Sequence, residues 1–220
     1  MAIEDIPAFV RENYEIHEWR HATAVLAKDF PQEWEDIMDV LTNFRLKKSH
    51  IVVGGGNKSK VADSFDSEFA ARNWFEKQFD TKIVVDQTEA HSPTHLVDEY
   101  KNKVAVEVEW NNKDPFFDRD LNNFRLLFDL RVISVGVIIT RTDELQEIYD
   151  QLGRGASAGE NTTHMRKLLP RLEGGSGGGQ IIAVKNYGLG KQAADVTSYG
   201  DHVPPPICCA KTAAPYAPMS

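Results

Sequence analysis

At 220 residues, with 41% hydrophobic and 26% charged side chains, the chain has the size and composition of a soluble globular domain. No run of about 18 apolar residues occurs, which excludes a membrane-spanning helix, and the N-terminal segment lacks the basic-then-apolar order of a secretory signal, so a cytoplasmic protein without membrane partners is expected. The formal net charge of −8 argues against nucleic-acid binding by bulk electrostatics, though not against DNA held in a localised cleft.

Taken in chain order, a helix is expected over His17 to Lys28. Phe30-Pro31 precedes Trp34, Ile37, Met38 and Leu41, the spacing of an amphipathic helix with proline in its first turn. His50 to Val53 is short and apolar and stops at Gly54-Gly55-Gly56. Asp66 or Ser67 can cap a helix reaching about Gln78, with Phe69, Ala70 and Trp74 on its buried side. Ile83 to Val85 reads as a strand. Leu96 to Asp98 and Lys103 to Trp110 read as a hairpin turned at Asn102-Lys103. Leu121, Phe124, Leu127 and Phe128 recur at helical spacing within a helix from Asp118 to Leu130. Val132 to Thr140 is almost continuously apolar, as in a strand covered on both faces. Leu145, Ile148, Tyr149 and Leu152 mark a helix with Thr142 as its cap.

Beyond that point Gly153 to Asn161 reads as a flexible loop and His164 to Leu172 as a short helix. Gly174 to Gly179, nearly all glycine and serine, is expected to be unable to pack a core. Ile181 to Val184 makes one more strand. The organisation predicted is one domain over residues 1–202 and an irregular, Pro/Ala-rich tail over 203–220. Cys208 and Cys209 are adjacent, which suits neither a structural disulfide nor a zinc site, so reduced thiols are expected. His91 and His95 are separated by Pro93, which disfavours the helix that would align them. Gly54-Gly55-Gly56 followed by Asn57-Lys58 lacks the spacing of a phosphate-binding loop.

The chemistry concentrates in DEYKNKVAVEVE, Asp98 to Glu109. Val104, Val106, Val108 and Trp110 alternate with Lys103, Glu107 and Glu109, the period of a half-buried strand with both glutamates on one face. A two-residue turn at Asn102-Lys103 places Asp98 directly opposite Glu107. Opposed side chains lie about 4.5–5.5 Å apart at Cβ, so three carboxylates share a small patch. Alone they repel; a divalent cation such as Mg²⁺, which takes oxygen ligands, reverses the penalty. A solvated acidic face is the bland alternative. Asn111, Asn112 and Lys113 add hydrogen-bond donors one step from the carboxylates.

The order of helices, a V-D-x₈-E-x-E hairpin, W-N-N, a helix and an apolar strand resembles the type II restriction endonucleases of the BglII, BstYI and BamHI group, within the PD-(D/E)-x-K nucleases. The resemblance spans roughly Phe30 to Leu172. It implies an α/β (α+β) fold with a restriction-endonuclease-like core, a central mixed β-sheet flanked by helices. Glu109 stands where the wider superfamily has lysine, as in the BamHI branch, while the interval from Asp98 to Glu107 matches the BglII and BstYI branch. The glycine run and the tail have no counterpart in the group.

Carried over residue by residue, the resemblance makes Asp98 and Glu107 ligands of Mg²⁺ and gives Glu109 the attacking water. Glu76 is the nearest match to a supporting residue on an earlier helix. Asn111 and Asn112, with Lys113 beside them, occupy the base-reading position, and asparagine pairs bidentately with adenine. Arg154, Ser157 and Asn161, with Arg166 behind them, fall in a second reading segment. The Asp118–Leu130 helix matches the dimerisation element. The implied activity is Mg²⁺-dependent double-strand cleavage of a short palindrome in double-stranded DNA by a homodimer, within a restriction-modification system. A repair nuclease of the same core and a non-catalytic DNA- or metal-binding module are the alternatives. The target sequence does not carry over.

Overall fold

The central sheet is organised around the turn at Asn102 and Lys103. Both residues have positive φ, 42° and 68°, the pattern of the tight type I′ turn whose twist matches that of paired strands. The computed structural model describes residues 6–53, 58–159 and 161–187. The expected domain boundary at 202, the Pro/Ala-rich tail and Cys208-Cys209 lie outside the described residues, as does Gly54-Gly55-Gly56.

In chain order the elements are α1 (Ala8–Asn13), β1 (Tyr14–Trp19), α2 (Ala22–Asp29), α3 (Pro31–Asn43), α4 (Lys48–Val52), α5 (Lys60–Ala70), β2 (Phe75–Lys77), β3 (Lys82–Val85), β4 (Thr88–His91), β5 (Val97–Lys101), β6 (Val104–Glu109), α6 (Pro115–Asp129), β7 (Val135–Arg141), α7 (Leu145–Gln151), α8 (Met165–Glu173) and β8 (Ile181–Asn186). A short 3₁₀ turn, Gly155–Ala158, interrupts the expected flexible loop. The six-stranded sheet runs β1-β8-β7-β6-β5-β2. β6, β7 and β8 are parallel, while β1 and β5 are antiparallel to their neighbours and β2 is antiparallel to β5. β3 and β4 form a separate hairpin whose Ile83, Val84 and Val85 are exposed. The architecture is the restriction-endonuclease-like mixed sheet with helices on both faces.

Those helices make two cores. Val104, Val106, Val108 and Trp110 pack with Val137, Ile139 and the apolar stripes of α3 and α5. Ala105, Ile138 and Ala183 pack with Phe117, Leu121, Phe124 and Leu127 of α6 and with α8. β6 is therefore buried on both faces, not half-buried as its alternation suggested. The glutamates point into a helix-covered face and not into solvent. The apolar stripe of α6 is core; on this helix Asn122 and Arg125 stay exposed.

Two expected helices shorten. Residues 17–19 belong to β1, which extends the sheet along β8, and Arg20 and His21, with φ of 56° and 57°, turn the chain before α2 starts. Pairing of the strand edge overrides local helical spacing there. α5 begins earlier than expected because Ser59 caps it, its hydroxyl accepting from Ala62 N–H at 3.1 Å. It ends at Ala70, after which Asn73 takes φ of 63° and Trp74 turns into the core. There the indole donates to Asp36 at 2.9 Å, and Lys101 Nζ reaches the same oxygen at 2.7 Å, tying α3 to β5.

The glycine run also departs from expectation, because it packs. Gly177 and Gly179 are buried against α6 and β8. Gly177 has φ of +86°, and a Cβ there would run into Ile181 and Leu121. Glycine is needed at this point for both conformation and close approach. Gly177→Ala should therefore lower stability by about 1–3 kcal/mol, read as a lower urea midpoint with an unchanged slope. A wild-type midpoint would show that the run only links α8 to β8.

Candidate active site

The β5–β6 register pairs Glu99 with Val106, Tyr100 with Ala105 and Lys101 with Val104. Continued by one residue, the same register sets Asp98 against Glu107. The two side chains interlock with the backbone between them. Asp98 Oδ2 accepts the Val108 N–H at 2.9 Å, and Glu107 Oε2 accepts the Asp98 N–H at 3.2 Å. Glu107 is fully buried, and its Oε1 has no hydrogen-bond partner among the described residues.

Glu109, two residues on and on the same face, is 1% exposed. Asn112 Nδ2 donates to its Oε2 at 2.9 Å, and Arg119 Nη2 lies 3.3 Å from its Oε1. A fourth carboxylate closes the group from the helix side. Asp120 on α6 is fully buried; its Oδ1 accepts from Arg119 Nε at 2.8 Å, and its Oδ2 lacks a partner among the described residues. Sequence reading missed Asp120. The signal was present: Asp120 falls three residues after Phe117 and four before Phe124, inside the apolar stripe of the helix. A charge on a buried face is the informative exception.

Burial and mutual repulsion set the protonation of this group. Glu107 is pushed well above the usual carboxylate range, first by burial and then by Asp120 and Asp98. Glu109 is pushed up to about 10, by burial first, then by the charge of Asp120 and a hydrogen bond with it. Asp120 is also raised by burial. Asp98 rises to about 6, again through burial first.

On the opposite face of β5, buried Glu99 looks toward α5. Burial, and then the charges of Asp66 and Asp98, raise it to about 8. Asp66 on α5 is ion-paired with Lys58 and leaves its Oδ1 buried without a partner among the described residues. Glu76, in contrast, is exposed on edge strand β2, because the helix expected to carry it stops at Ala70.

Among the described residues no group of three or more His, Cys, Asp or Glu side chains forms a ready-made metal site. One oxygen each of Asp98 and Glu107 accepts a backbone N–H. The donor set still fits a hard divalent cation. Among the described residues, Glu107 Oε1 and Asp120 Oδ2 are buried without a donor, and the four acids have the Arg119 guanidinium beside them.

Beyond β6 the chain turns at Asn111, which has φ of 61°. Its amide is engaged inside the protein at both ends: Oδ1 accepts from Arg141 Nε at 2.5 Å and Nδ2 donates to Tyr149 Oη at 2.8 Å. In this structure its side chain is occupied by Arg141 and Tyr149. Asn112 is half-buried against Glu109, and Lys113 is exposed beside it. Arg154 is half-buried, its Nε donating to the Ile51 carbonyl at 3.3 Å. The side chain of Ser157 lies outside the described residues. Arg166 pairs with Asp143 at 3.2 Å on the surface.

The sequence profile of the restriction endonuclease BglII/BglIII family matches residues 14–181. The matched span runs from β1 into β8 and includes all the carboxylates described above. No curated protein matches the chain significantly.

The raised carboxylates make stability depend on pH. A group whose folded pKa is raised favours the protonated fold; that stability is complete below the unfolded value and is lost as pH climbs through the folded one. For Asp98, Glu99 and Glu109 the window opens near 3.8 to 4.5 and closes at about 6, 8 and 10. Without divalent ions, the thermal midpoint should therefore fall from pH 5 to pH 8. Asp120→Asn removes one charge and offers Glu109 a donor, so it should exceed wild type at pH 8 by more than at pH 5. A midpoint that rises with pH in both proteins would contradict this electrostatic account.

Proposed function

The chain belongs to the restriction endonuclease BglII/BglIII family, and we propose that it cuts both strands of a short palindromic DNA site in a Mg²⁺-dependent reaction, as the nuclease of a restriction-modification system. Type II restriction endonucleases of the BglII type are nucleases acting on double-stranded DNA. The observation that carries the finer reading is the buried Glu107 Oε1, without a donor among the described residues and under the charge of Asp120, Asp98 and Glu109.

In this reading Asp98 and Glu107 hold the divalent cation. Bound there, it would acidify water in the site and offset the charge that builds on the phosphate. Glu109 orients the attacking water and takes its proton. A free glutamate is a weak base at neutral pH, and burial keeps Glu109 protonated, so it could accept the water's proton only once a bound cation has displaced its own. Asn112 and Arg119 keep that carboxylate fixed. Glu76, which the resemblance offered as metal-shell support, is exposed on β2; Asp66 on α5 is an earlier-helix carboxylate whose charge reaches Asp98. Asn112, Lys113 and Arg154 line the DNA side, with Ser157 in the same segment. An acidic chain gains little from nonspecific attraction to DNA, so two subunits clasp the duplex, with the exposed Asn122 and Arg125 of α6 at the dyad.

Plasmid digestion with Mg²⁺ followed by mapping of fragment ends tests this. Wild type should yield discrete fragments ending at one palindrome. Glu107→Gln and Asp98→Ala should yield none while unfolding cooperatively at or above the wild-type temperature. Glu109→Lys, which brings a positive charge to the cation site, should also lose nearly all activity. Cutting at random positions, or near wild-type rates from Asp98→Ala, would defeat the reading. Sedimentation at micromolar concentration should show a dimer; a monomer with and without DNA would remove the two-subunit account.

A further inference from the structure

We infer that Arg141 is a positioning residue that ties the 161–163 segment ahead of α8 to the Glu109 carboxylate through Asn111 and Asn112, so that seating this segment on DNA and aligning the carboxylate are one event. The inference rests on the nuclease reading above and concerns how recognition reaches the reacting groups.

The argument begins with the guanidinium fork. Arg141 ends β7 and is 1% exposed. Its Nε donates to Asn111 Oδ1 at 2.5 Å, its Nη1 to the Thr142 carbonyl at 2.9 Å and its Nη2 to Thr162 Oγ1 at 2.9 Å. One planar group thus fastens the turn after the β6 carboxylates to the segment before α8. A lysine, a single point of charge, cannot span these acceptors.

A short ladder lies between the fastened points. Asn112 N–H donates to Thr163 Oγ1 at 3.1 Å, and Thr163 N–H donates to the Asn112 carbonyl at 2.8 Å. Lys113 bridges Thr162, and Asp114 N–H donates to the Asn161 carbonyl at 3.0 Å. From the same Asn112, the side-chain amide reaches Glu109. Tyr149 holds the other side of the turn, its hydroxyl accepting from Trp110 Nε1 at 3.0 Å and from Asn111 Nδ2.

This arrangement lets a displacement of the 161–163 segment reach Glu109 by a short bonded path. Asn161 and Lys113, on the two strands of the ladder, are exposed. DNA resting on them would load the ladder directly. Asn111 tolerates the left-handed backbone that the turn requires. Its amide is held at both ends, so re-aiming Asn112 through the turn requires Arg141 or Tyr149 to move as well.

The test uses Thr162→Val, which removes the hydroxyl that receives Arg141, and Thr162→Ser, which restores it. Asn111→Gly is the second variant: it keeps the backbone freedom of the turn and removes the amide. Three quantities are read in the full chain: single-turnover cleavage of the mapped site with Mg²⁺, affinity for the same duplex without divalent ions, and the thermal midpoint. Thr162→Val and Asn111→Gly should cleave about tenfold slower or more, the usual effect of losing a residue that orients a functional group. Affinity should hold, the midpoint should fall but leave the protein folded at the assay temperature, because buried Arg141 loses one acceptor and keeps the Thr142 carbonyl, and Thr162→Ser should recover the rate. Combined with Asn112→Ala, Thr162→Val should add no further loss, because both act through one contact. Wild-type cleavage rates in both variants overturn the inference while the nuclease reading stands. So do losses that track affinity or come with unfolding at the assay temperature, a serine variant no better than valine, or losses additive with Asn112→Ala. A wild-type protein that cuts no DNA defeats both.

Discussion

The two left-handed residues at Asn102 and Lys103 fix how β5 and β6 pair, and the remaining site geometry follows from that pairing. A slip of one residue would move every side chain of β5 to the other face. Asp98 would leave Glu107, and Glu99 would enter the covered face in its place. The turn is held from outside as well, since the Lys103 carbonyl accepts from Ser134 N–H at 2.7 Å. The start of β7 thus anchors the hairpin, and the parallel pairing of β6 with β7 carries the register through to Glu109 opposite Thr140. A buried strand with two packed faces is a rigid platform for carboxylates that ought to repel.

That platform comes with a large electrostatic penalty. Charges removed from water are costly unless paired. Here Asp98, Glu107, Glu109 and Asp120 share Arg119, the Asn112 amide and two backbone N–H groups. Without further positive charge the group holds protons, which is why burial dominates each shift. Such a concentration of perturbed acids in one place marks functional sites far more often than structural ones. The aromatic and apolar cores on either side supply the stability that this arrangement consumes, and the close-packed glycines at 177 and 179 let β8 sit tightly under α6.

Much of this was legible in the sequence. The hairpin, the pairing of Asp98 with Glu107, the stripe of α6 and a covered strand, expected at 132–140 and found at Val135–Arg141, follow from periods and turn residues. What escaped reading depended on contacts distant in sequence. Burial of β6 on both faces needs α6 and α8 to close over the glutamates, and alternation alone cannot report it. Residues 17–19 became strand because β8, far along the chain, offered an edge. Glu76 was placed on a helix that Asn73 and Trp74 end. The stripe of α6 marks Asp120 as buried but cannot name its neighbours, and Arg141 looks ordinary beside its own; only the fold brings one against Glu109 and the other between Asn111 and Thr162.

The central claim is that these carboxylates are arranged to exchange protons for a divalent cation. Titration calorimetry with Mg²⁺ at pH 7.5, repeated in two buffers of different ionisation enthalpy, measures this directly, because binding to protonated ligands releases protons to the buffer. The account predicts saturable binding whose heat changes with the buffer, and loss of that binding in Glu107→Gln. Buffer-independent heat, or no binding at millimolar Mg²⁺, would contradict it.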